Sequence, residues 1–191
     1  IRADFLMKEG YISTCKVVVL ELNYADKETK EAFKRIYESN RSQGAKVLKL
    51  EQNYCIENKT RLQFIIDSVL RVKKNSLILF YRIEYGNKIN DALRLQTDRK
   101  IFYIDGGVDK DLRGIQKDEL EEGEGKIMIA SYGTFAQGIN VKNIHNIFLT
   151  ESFKSDTIIR QSIGRGLRLQ AKKDNLLILD FVDDFRVGNY E

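Results

Sequence analysis

Apolar positions along the chain recur with two different periods, and the change between them divides it. Lys16 to Leu22 reads KVVVLEL, a short β-branched run of the kind that forms a buried strand. From Asp26 to about Gln43 the period becomes helical, with Phe33, Ile36, Tyr37 and Asn40 on one face and Gly44 as the terminator. A second helix is expected from about Asn58 to Val72, with Leu62, Ile65, Ile66 and Val69 as its apolar stripe. The two helices form an expected lead-in hairpin with solvated charges outside.

After Lys74 short apolar runs alternate with amphipathic stretches. Strands are expected at Ser76–Tyr81, Lys100–Ile104, Lys126–Ala130, Asn146–Thr150 and Asn175–Val182. Between them lie expected helices at Glu84–Gln96, at Asp109–Glu121 with Asp109 as cap, and at Ser155 to about Leu167. Ser131–Asn143 (SYGTFAQGINVKN) reads as a glycine-containing loop. Continuous apolar strands alternating with helices predict a parallel sheet covered on both faces, an open doubly wound α/β fold. Ligands of such folds sit at the carboxyl ends of the strands.

Composition narrows the picture modestly. The 191 residues suit one α/β domain with an appendage, or two small domains, and 42% hydrophobic residues suffice for a core. No run reaches the roughly 18 to 20 apolar residues of a membrane span, and no export leader opens the chain, so a soluble cytoplasmic protein is expected. The chain starts at Ile1 and lacks proline, which points to a fragment or processed product from a low-GC, viral-like genome. Thirty-two Lys and Arg against 28 Asp and Glu leave a net charge of +4, compatible with local phosphate binding but no proof of it. Cys15 and Cys55 lack metal-ligand spacing, and His145 is the sole histidine, which excludes multi-histidine zinc chemistry.

The chemistry concentrates in Gln161-Ser-Ile-Gly-Arg-Gly-Leu-Arg168. At helical spacing Gln161, Arg165 and Arg168 project to one side, and Ile159, Ile163 and Leu167 face the sheet. Gly164 leaves the polar face open to another surface. Two planar guanidiniums and an amide suit a multiply charged anion; a merely solvated arginine face is the alternative. The segment from Ser131 onward adds Gly133 and Gly138 for close backbone approach, with Ser131, Thr134, Gln137 and Asn140 as short polar groups. Asp180, Asp183 and Asp184 invite a metal-site reading, although a structural role is favoured.

IASYGTFAQGIN followed by QSIGRGLR resembles motifs V and VI of superfamily 2 helicases. LILFYR (Leu77–Arg82) resembles motif IV, and YIDGGVDKDLR (Tyr103–Arg113) the segment between IV and V. The wording ASYGTFAQGINVKNIHN is similar to phage recombination helicases of the UvsW type. The resemblance implies the second RecA-like motor domain of an ATP-dependent DNA helicase acting in recombination or repair. Residues 1–25 would be an inter-domain linker and first strand, and 26–191 the domain proper, with a helical lead-in over 26–74 and a motif-bearing core over 75–184.

By that resemblance Arg168 is the arginine finger, Arg165 its neighbour on the phosphates, and Gln161, Gly138 and Asn140 further ATP-side residues. Asn140 stands where many relatives carry Asp. Ser131 with Thr134, Tyr81 with Arg82, and Gly106 with Gly107 match positions on the nucleic-acid backbone. The implied partners are single-stranded or branched DNA and a preceding RecA-like domain of the same polypeptide. ATP and Mg2+ are the implied cofactors, the metal held by that first domain. No G-x-x-x-x-G-K-[ST] loop occurs in the sequence, and Asp118-Glu119 falls in an expected helix. The chain alone is therefore expected neither to hydrolyse ATP nor to unwind DNA. The alternative is a non-catalytic α/β module that binds nucleic acid or protein.

Overall fold

The computed structural model describes residues 3–24, 27–39, 44–151, 155–169 and 175–185. Six strands form one sheet: β1 Thr14–Asn23, β2 Ser76–Phe80, β3 Ile101–Ile104, β4 Ile127–Ser131, β5 Asn146–Leu149 and β6 Asn175–Asp184. Their order is β1-β6-β5-β2-β4-β3, and every pairing is parallel. The helices are α1 Ala3–Lys8, α2 Lys27–Ser39, α3 Gly44–Glu57, α4 Lys59–Arg71, α5 Ile83–Arg94, α6 Lys110–Glu121, α7 Tyr132–Gly138 and α8 Asp156–Gly166. No helix among the described residues is long and apolar enough to cross a membrane.

Alternation along the strands divides the core into two layers. Leu77, Leu79, Met128, Ala130, Ile147, Leu149 and Ile178 face one side, where Leu120 of α6, Phe135 of α7 and Ile159 and Ile163 of α8 cover them. Ile78, Phe80, Ile127, Ile129, Phe148 and Phe181 face the other, under Ile65, Ile66 and Val69 of α4 and Tyr85, Ile89 and Leu93 of α5. Each such side chain contributes about 1.5–3 kcal/mol on burial, and this two-sided burial is why the strands read as unbroken apolar runs. The doubly wound expectation holds, and Asp109 caps α6 as expected, its side chain accepting from the N–H of Asp111 and Leu112.

Several expectations are corrected. Lys16–Leu22 forms a strand but not a buried one: β1 lies at the sheet edge, none of its residues is buried, and Val17 and Val19 are exposed. The lead-in contains three helices, not two: Gly44 opens α3 instead of closing its predecessor. Residues 132–138 are helical, because Ser131 caps them and Phe135 buries beneath them. A helix at Ala3–Lys8, unforeseen in the sequence, packs Met7 against the α6–α8 layer.

Because all strands run the same way, their carboxyl ends share one edge. Over β1 and β6 that edge is closed. Tyr24 stacks on Phe185 with centroids 5.0 Å apart, and Phe33 of α2 and Tyr54 of α3 pack edge-on or tilted against these rings. Beneath them Arg61 of α4 forms a bidentate pair with Asp183, at 2.7 and 2.8 Å, while Tyr24 donates to the same carboxylate at 2.5 Å. Asp183 is thereby engaged within the fold. No group of three or more His, Cys, Asp or Glu among the described residues could hold a metal ion.

Candidate functional site

The ends of β2, β4 and β3 lie side by side, and each carries a pair of residues singled out in the sequence. Tyr81 and Arg82 follow β2, Ser131 and Thr134 bracket the start of α7 after β4, and Gly106 and Gly107 follow β3. At about 4.8 Å between strands the row is roughly 10 Å long. The Tyr81 side chain is half exposed. The Arg82 guanidinium donates to Asn53 of α3 at 2.5 Å and approaches Glu84 at 3.8 Å. Ser131 Oγ accepts from the Thr134 N–H at 3.4 Å and donates to Thr134 Oγ1 at 2.8 Å. A Cβ built on Gly106 meets nothing within 4 Å, so a ligand backbone can approach closely there. Asp105 steadies that turn by accepting from the Gly107 N–H at 2.8 Å.

The second group forms where α7 packs against α8. Ser155 caps α8, accepting from the Ile158 N–H, and Asp156 sits favourably in its first turn. Arg165, in the last turn, donates to the carbonyls of Ile139 at 2.5 Å and Ala136 at 2.8 Å. These carbonyls lie at the end of α7, where helical partners run out, so one guanidinium both caps α7 and joins it to α8. Burial, and secondarily the charge of Arg168, lowers the Arg165 pKa. Arg168 lies just past α8, its backbone N–H on the Arg165 carbonyl at 3.3 Å. Its guanidinium is exposed and hydrogen-bonds the Asn140 side chain. Gln161 is exposed on α8 one turn before Arg165, and Gly138 is the last residue of α7.

The structure thus brings Arg165, Arg168, Asn140 and the end of α7 together, and sets Tyr81, Arg82, Ser131, Thr134, Gly106 and Gly107 along an adjacent open edge. Two strongly held residues escaped the sequence reading. Glu151, two residues past β5, accepts from the backbone N–H groups of both Tyr81 and Arg82. Arg61 is buried, and its four hydrogen bonds reach Asp183, Tyr85 and the Thr150 carbonyl. Neither stands in a recognisable motif; the only hint was a charge set directly beside an apolar run.

A family model described as helicase conserved C-terminal domain matches residues 60–170. The ATP-dependent DNA helicase uvsW of Enterobacteria phage T4 is 31% identical over 178 residues, which make up 93% of this chain and 34% of that protein. The crystal structure of T4 UvsW matches with a TM-score of 0.70 and 29% identity, over 94% of this chain and 35% of the other. The C-terminal domain of the DEAD-box protein Dbp5 shares the fold, with a TM-score of 0.54 and 15% identity over 67% of this chain and 73% of its own. The chain therefore spans about a third of the phage helicase it matches. With the family model covering more than half of the sequence, and with a six-stranded parallel sheet of the same RecA-like kind, the chain belongs to the helicase conserved C-terminal domain family.

Proposed function

We propose that this chain is the second motor domain of an ATP-dependent DNA helicase or translocase acting in recombination or repair. One observation carries the reading: α7 and α8 deliver two arginines and an asparagine to one place on a helicase-family fold. In this reading Arg168 is the finger. Its guanidinium is exposed and is hydrogen-bonded to a neutral amide, a weaker partner than a phosphate. Such a group stabilises charge developing on the transferred phosphoryl group. Arg165 positions the α7–α8 junction and lies beside the phosphates, and Gln161, Gly138 and Asn140 complete this half of the nucleotide site. The other half, with the phosphate loop and the Mg2+ ligands, belongs to a preceding RecA-like domain of the same polypeptide.

DNA is the proposed track because the phage relative is named a DNA helicase and the motif wording resembles phage recombination helicases. Tyr81, Arg82, Ser131, Thr134, Gly106 and Gly107 would contact its backbone, which supplies affinity without sequence readout. ATP closes the two domains and hydrolysis reopens them, moving the strand between the two sets of contacts. The test is steady-state ATP hydrolysis, with and without single-stranded DNA, by the intact protein carrying both domains. Arg168→Ala is expected to lose at least about a thousandfold in turnover while still binding nucleotide, and the 191-residue chain alone to hydrolyse none. If Arg168→Ala hydrolyses ATP like the wild type, the finger assignment is wrong and the chain is better regarded as a binding module.

A further inference from the structure

Glu151 is a charged side chain that the proposed motor leaves unused, and it is bound more tightly than its surface position suggests. It lies two residues past the end of β5, in the middle of the carboxyl edge, and is partly buried. One carboxylate oxygen accepts from the Tyr81 N–H at 2.6 Å and from the Arg82 N–H at 3.0 Å. Arg82 is the N-cap of α5 and makes no side-chain cap bond; the Glu151 carboxylate instead takes the two amides just before the helix, those of Tyr81 and of Arg82 itself. The Glu151 carbonyl accepts from Tyr132 Oη at 3.2 Å. Thr150, just before it, donates its Oγ1 to the Leu79 carbonyl at 2.8 Å and accepts from Arg61 at 2.9 Å. Glu151 is therefore fixed to β2, to the start of α7 and, through Thr150, to α4. Burial raises its carboxyl pKa, and the two backbone donors and the Arg61 and Arg82 charges oppose that shift.

Two backbone N–H groups at the start of a helix, on an open edge, would themselves attract a phosphate. Here Glu151 already takes them. What the turn presents outward is the aromatic side chain of Tyr81, 50% exposed, and the side chain of Arg82, 28% exposed. We infer that Glu151 is a positioning residue of the nucleic-acid interface: by occupying the two amides at the start of α5 it fixes the turn that presents Tyr81 and Arg82 to the strand. The inference rests on the proposed nucleic-acid role of those two residues. Contact at this turn is then made by side chains, through stacking and charge, and not by phosphate on amide. An isosteric amide can serve the same two donors, whereas a methyl group cannot.

The experiment is binding of a fluorescein-labelled single-stranded DNA oligonucleotide to the intact protein, followed by anisotropy alongside thermal melting. The variants are Glu151→Gln, Glu151→Ala, Tyr81→Ala with Arg82→Ala, and all three alanines together. Glu151→Ala is expected to bind about tenfold more weakly, Glu151→Gln within about threefold of wild type, and the triple variant no more weakly than the Tyr81/Arg82 pair. Additive losses in the triple variant would overturn the inference, as would wild-type affinity in Glu151→Ala whatever its melting temperature. Tighter binding by both Glu151 variants would mark a simple repelling charge and overturn it too. If the Tyr81/Arg82 pair itself binds like wild type, the nucleic-acid reading of this turn fails and the inference fails with it.

Discussion

At the scale of single residues, Arg61 is where the fold has most to lose. Its side chain is 1% exposed and that of Asp183 8%, so neither charge is solvated. The guanidinium spends four hydrogen bonds on Asp183, Tyr85 and Thr150, and its planar fork matches the carboxylate at 2.7 and 2.8 Å. Burial acts to lower its pKa, but the bond and charge of Asp183 outweigh this and the net shift is upward. Removing one partner strands a buried charge, so Arg61→Ala should destabilise by about 3–5 kcal/mol in urea titration. Arg61→Lys should rescue little, because an ammonium cannot reach both carboxylate oxygens, the phenol and the carbonyl at once. Loss of less than about 1 kcal/mol in Arg61→Ala would show that the Asp183 carboxylate is not stranded in the core when its partner is removed. The sequence showed Asp183 as part of an acidic cluster and favoured a structural role for it, but its partner lies 122 residues away and could not be read. Glu151 was hidden for the same reason: its donors are backbone groups of residues 70 and 69 positions distant.

At the scale of elements, legibility followed how each one is stabilised. β2, β4 and β5 were visible because burial on both faces leaves uninterrupted apolar runs, β1 because of its β-branched residues although Val17 and Val19 are exposed, and α4, α5, α6 and α8 because each buries a stripe. α7 was not, since about two turns carry no clear period; it exists through the Ser131 cap, the burial of Phe135 and the Arg165 clamp on its last carbonyls. α3 was missed because Gly44 read as a stop and Val47, Leu50 and Tyr54 stand among lysines. Within α8, two glycines look alike in sequence and differ in space. A Cβ on Gly164 meets nothing within 4 Å, whereas one on Gly166 falls 2.7 Å from Ile147 Cδ1 and 3.1 Å from Leu176 Cδ2, both in the packed core. Gly164→Ala should therefore be neutral or stabilise by up to about 1 kcal/mol. Gly166→Ala should destabilise by about 1–3 kcal/mol. Equal melting temperatures for the two variants would mean that α8 sits less tightly on β5 and β6 than described.

At the scale of the whole molecule, a parallel sheet places every strand's carboxyl end on one edge, and the helices decide which part of it stays open. Over β1 and β6 the rings of Tyr24, Phe33, Tyr54 and Phe185 and the Arg61–Asp183 pair close it. Over β2, β4 and β3 it stays open, and Tyr81, Arg82, Ser131, Thr134, Gly106 and Gly107 stand along it. Arg165 joins this edge to the arginine site, because Ser131 caps the start of α7 and Arg165 holds its end. A strand of DNA bound along the open edge should slow amide hydrogen exchange around residues 81–86, 106–108 and 131–135 of the intact protein. Exchange at Tyr24, in α2 and in α3 should stay as it was, since those residues are already committed to each other. Nucleotide should add protection at the end of α7 and across α8, and only when the preceding domain is present to complete the cleft. Protection by DNA that falls instead on α2 and α3 would move the track to the closed end of the sheet and separate it from α7 altogether.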